Sequence, residues 1–78
     1  MNVPGQEIKE LARSILEDKG SQFLLDRVEK MIEAAGENHS DLVQAVKRVE
    51  KIVKLFVGAD EANLIAERAM SILEKKPE

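Results

Sequence analysis

Residues 42–57 read LVQAVKRVEKIVKLFV, and the fold class turns on whether this stretch stays helical or ends in a strand. Its last six residues, Ile52 to Val57, gather the β-branched and aromatic side chains that favour strands. Leu42, Val46, Val49, Val53 and Phe56, however, recur at the spacing of one helix face, and Ala45 and Ile52 broaden that face. Lys54 breaks the apolar run where a buried strand would carry no charge, and no other segment alternates as a pairing strand would. The stretch therefore reads as a helix over about residues 41–57.

Working outward, the same periodicity runs through the chain. Ile8, Leu11, Ala12, Ile15 and Leu16 form a narrow stripe on a helix over about 5–18, with Pro4 suited to its first turn and Gly20 to the residue after its end. Ser21 is placed to cap a helix over about 22–35, whose stripe is Leu24, Val28, Met31, Ile32 and Ala35, widened by Leu25 and closed by Gly36. Asn38-His39-Ser40-Asp41 is a capping-rich turn, with Asn38 or Ser40 as the cap. Beyond Gly58, Asp60 opens a helix over about 60–76 that carries Ala62, Ile65, Ala66, Ala69, Ile72 and Leu73. Lys75 and Lys76 suit its carbonyl end, and Pro77 forbids continuation. The expected fold is all-α, a four-helix bundle in one domain, residues 1–78. Ala62, Ala66 and Ala69 should let the last helix approach a neighbour closely.

The 78 residues contain no cysteine and one histidine, which removes disulfides, iron–sulfur clusters and the common zinc sites. With no Trp or Tyr and two Phe, the core must be aliphatic. No apolar run exceeds three residues, far short of the ~20 a membrane span needs, and Met1 to Gly5 lacks the character of a signal peptide. The expected location is the cytoplasm. Ile8, Glu10, Ala12, Ser14, Ile15, Leu16, Glu17 and Lys19 match Ile65, Glu67, Ala69, Ser71, Ile72, Leu73, Glu74 and Lys76. Two amphipathic helices drawing on one small alphabet account for this echo without a repeat architecture.

No constellation carries catalysis. His39, Ser40 and Asp41 are adjacent, whereas a nucleophilic triad needs side chains that converge from separate positions. Glu29, Glu33 and Glu37 lie off the apolar stripe, as a solvated face paired with Lys30 and Arg27, and lack the Glu-x-x-His motif of a bundle metal site. Gly58-Ala59-Asp60 leading into a helix resembles the loop of small four-helix acyl carrier proteins, which attach their prosthetic group to a Ser directly after the Asp. Glu61 stands at that place, so the activity is not carried over and no cofactor is expected.

Two surface features stand out instead. Gln44, Lys47, Arg48, Lys51 and Lys54 make a basic side of the third helix in a chain whose net charge is −3, a candidate anion-facing surface. Phe23, Leu55 and Leu64 fall off their stripes and are candidate interface residues. The expected function is a non-enzymatic interaction, adaptor or regulatory domain with a protein partner or a second copy of itself. The alternative is nucleic-acid association through the third helix.

Overall fold

Asn38 starts the third helix: its backbone is extended (φ −74°, ψ 124°) and its side-chain oxygen accepts from the Asp41 amide at 3.2 Å. That bond satisfies one of the amides a helix start leaves without an internal partner. The computed structural model, which describes residues 3–19 and 22–74, therefore begins this helix at His39, two residues before the expected 41. The helices are α1 (Pro4–Leu16), α2 (Gln22–Ala35), α3 (His39–Phe56) and α4 (Ala59–Glu74), with no strand among the described residues. Ile52 to Phe56 continue α3, so the strand alternative is overturned. Gly20, Ser21, Lys75, Lys76 and Pro77 lie outside the described residues, as does the end expected at 76.

Two glycines set the turns. Gly36 has φ +68° and donates to the Glu33 carbonyl at 3.1 Å, a left-handed stop that other residues adopt only under strain. Gly58 has φ +153°; its amide and that of Val57 both donate to the Val53 carbonyl, at 3.0 and 2.8 Å, and close α3. A Cβ on Gly58 would stand 3.2 Å from Glu61 Oε1, so the carboxylate folds back over the turn. At the other end, α1 begins at Pro4 and stops at Leu16, two residues short of the expected 18.

Each helix packs on its neighbour in sequence, and α1 also packs on α4, which closes a ring within 36 × 20 × 20 Å. The interior is aliphatic: Ile8, Leu16, Val28, Ile32, Leu42, Val49, Val53 and Ile65 are essentially fully buried, and no described polar or charged residue is. Each such side chain contributes on the order of 1.5–3 kcal/mol of transfer free energy. Ala62 and Ala69 are also fully buried in α4, as close helix approach requires, while Ala66 is half-buried.

Phe56 departs from its expected place. It follows the core spacing of α3, yet it is 71% exposed. The cause is length: α3 has 18 residues and α2 has 14, and the two share the turn at Gly36. The last turn of α3 thus outruns α2, and no described neighbour buries Phe56.

Candidate functional site

The two long edges of α2 differ, and the difference locates the site. Along the edge facing α1, Lys9 Nζ pairs with Glu33 Oε2 at 3.1 Å, and Arg13 holds Glu29 Oε2 through both Nε and Nη2. The pairing expected within α2, with Lys30 and Arg27, is replaced by bonds across to α1. The Arg13 guanidinium is held above its ordinary pKa, first by the hydrogen bond to Glu29 and then by its charge.

Along the edge facing α3, a groove of about 870 Å³ opens between the helices. Phe23, Arg27, Lys30 and Ala34 fall at steps of four, three and four residues, one row on α2. Asp41, Ala45, Arg48 and Ile52 repeat those steps on α3, which runs the other way. The floor is Met31, Ala35, Ala45 and Ile52, all buried or half-buried. Ala34 on one wall adds no bulk, so alanines on both helices leave the space open. The rim carries Arg27, Lys30 and Arg48 against Asp26 and Asp41, with Gln44 between. At 1.5 Å per residue, Arg27 and Arg48 both stand about 12–14 Å above the shared turn, level with each other. No ion pair among the described residues involves Arg27, Lys30 or Arg48.

The structure joins parts of two surfaces that the sequence kept apart. Phe23, 72% exposed, lines the groove together with Gln44 and Arg48. Lys47, Lys51 and Lys54 are exposed on α3 outside the lining, and they too enter no ion pair among the described residues. Leu55, 81% exposed, and Leu64, 38% exposed, also lie outside it. Met31, Ala34, Ala35, Ala45, Arg27 and Lys30 went unrecognised. Ala35, Met31 and Ala45 were read as stripe residues, and the one available signal was alanine on facing flanks of consecutive helices.

The remaining polar features are structural. His39 Nε2 donates to the Leu73 carbonyl at 3.2 Å, which ties the start of α3 to the end of α4. Asp41 meanwhile serves the Asn38 cap through its amide, so His39, Ser40 and Asp41 do not act as one group. Among the described residues no three His, Asp or Glu side chains gather as a metal site. Glu61 accepts from its own amide and from Lys19, 3.3 Å away, and these bonds hold its carboxyl below the ordinary value. No described helix is long and apolar enough to cross a membrane.

No family model matches the sequence, and searches of curated proteins and of solved structures return no significant match.

Proposed function

We propose that this chain is a non-enzymatic protein-interaction module that docks a partner along the α2–α3 groove. One observation carries the reading: an apolar floor walled by alanine and an exposed Phe23 lies under cations that enter no ion pair among the described residues. Docked helices bury an apolar face in such grooves, and charges around the rim fix orientation. The floor residues are already buried or half-buried, so a partner completes their burial at small conformational cost.

Site-specific photo-crosslinking tests this. A crosslinker replacing Ala34 should capture one protein, and the purified partner should bind the isolated chain. Ala34→Glu should abolish that binding, while Ser14→Glu on the exposed side of α1 should not affect it. A partner whose crosslinks map to α1 or α4 would overturn the assignment of the surface.

Nucleic-acid association is the second reading, and the run Lys47, Arg48, Lys51 and Lys54 favours it. Affinity for phosphates would fall steeply with salt. Retention on heparin or duplex DNA that Lys47→Glu together with Lys51→Glu removes, and that Ala34→Glu leaves intact, would favour it over docking.

A further inference from the structure

Given that docking surface, the geometry points to its occupant: an amphipathic helix of a partner protein with a carboxylate on its flank, received between Arg27 and Arg48. The inference rests on the groove being the docking face, and it adds the partner's chemistry.

Arg27 and Arg48 stand level on opposite walls of one groove, and no described carboxylate is paired with either. Like charges placed this way repel, and the arrangement relaxes when an anion enters between them. A guanidinium presents a planar fork of donors that fits a carboxylate through two parallel bonds, so two guanidiniums clamp one or two acidic side chains. Lys30 adds a third cation to the rim, one turn from Arg27.

The floor sets the rest of the occupant. From Phe23 to Ala34 the groove runs along twelve residues of α2, about three helical turns, so it accepts a helix of similar length. Alanines on both helices permit close backbone approach, while Met31, Ile52 and Phe23 offer apolar surface to side chains spaced three and four apart. Asp26 and Asp41 at the rim disfavour a polyphosphate strand, which would carry charge along its whole length. A second copy related by a two-fold axis would bring Arg27, Arg48 and Lys30 against the same three residues. Its acidic surfaces do not fill the floor: at Glu10, Glu17 and Asp18, on α1 and the turn after it, no large hydrophobic side chain is exposed, and on α4 Leu64 beside Asp60 and Glu67 is a single side chain only 38% exposed. A hetero-partner with acid beside its apolar face meets both requirements.

The test is a displayed library of helical peptides about four turns long, with a fixed Leu and Ala face and flanks randomised among Glu, Gln and Lys. Peptides selected on the intact chain are located by amide chemical shifts. Flank Glu should be enriched over flank Lys by about tenfold or more among peptides that shift Phe23, Ala34 and Ala45, as expected when a close opposite charge replaces a like one. Arg27→Glu combined with Arg48→Glu should reverse the preference, with circular dichroism showing that this exposed pair leaves the helices intact. Groove-bound peptides rich in Lys or Gln overturn the acidic partner and leave the docking reading standing. Selected peptides that shift other surfaces, or a library that yields none, overturn both. An oligonucleotide that displaces the acidic peptides from the groove overturns the partner class, as does a chain whose groove amides shift on self-association.

Discussion

α2 presents two long edges to its neighbours, and they obey different rules. Toward α1, each cation finds a carboxylate, Lys9 with Glu33 and Arg13 with Glu29, and Ile32 is buried behind them. Toward α3, Met31, Ala35 and Ile52 stay half-covered, and the cations above them enter no ion pair among the described residues. Both edges belong to one fourteen-residue helix of one composition. The contrast teaches that what marks a surface for use is an interaction left unfinished beside one completed, rather than its overall polarity.

The largest expected effect sets neighbouring residues of the two edges against each other. Ile32 is 1% exposed and Met31 is half-buried in the groove floor. Ile32→Ala should destabilise the fold by about 2–4 kcal/mol through lost transfer energy and a cavity, and Met31→Ala by about 1 kcal/mol or less. Urea denaturation measures both. Equal losses would mean that α2 and α3 are packed as tightly as α1 and α2, and that the groove is closed in solution.

Charge reversal sharpens the contrast at the next level. Glu29→Lys should lower the melting temperature at low salt, because it sets a cation against Arg13, and the loss should shrink as salt rises. Arg48→Glu should leave the melting temperature unchanged or raise it, since it relieves Arg27. A thermal-shift series in salt distinguishes the two. An Arg48→Glu loss as large as that of Glu29→Lys would show that Arg48 already has a stabilising partner.

The smallest effect concerns the junction where Glu61 meets Lys19. The Glu61 carboxyl is held below its ordinary value in the folded chain, first by its own amide and then by Lys19. A folded-state value below the unfolded one means that the contribution is complete above the ordinary carboxylate range. It is lost as pH falls through the folded value. Wild type and Glu61→Gln should therefore differ in melting temperature near neutrality and converge as pH falls below the ordinary carboxylate range. Parallel curves over that fall would remove Glu61 from the account of acid stability.

Much of the fold was legible because its punctuation is local. Gly36, Asn38 and Gly58 each impose a backbone conformation that neighbours in sequence suffice to predict, and the helices they bound fall within two residues of expectation at every described end. Phe56 was misplaced because its spacing reports only its own helix, whereas its exposure depends on where α2 ends. The ion pairs were misread for the same reason: i, i+3 spacing offers Glu33 a partner on α2 in Lys30, but it says nothing of the cations α1 brings alongside. The groove was the least legible feature. It exists only through the relative placement of Ala34 and Ala45 on separate helices, and each alone reads as an ordinary small residue.

The ring of helices bears on how the chain finds its structure. α1 and α4 share a seam although α2 and α3 lie between them in sequence, whereas the other seams join consecutive helices across short turns. Loop-closure entropy rises only logarithmically, by about 0.6 kcal/mol per doubling of length, so the distant seam adds little once the local ones have formed. The bundle thus belongs with low-contact-order folds, whose barriers are small. Gly5 sits over the Gly36 turn and His39 binds Leu73, so the start of α1 and the end of α4 meet at one end of the bundle. A circular permutant that links those ends and opens at Gly58 would keep all four seams and change only which of them closes across the longest stretch of chain.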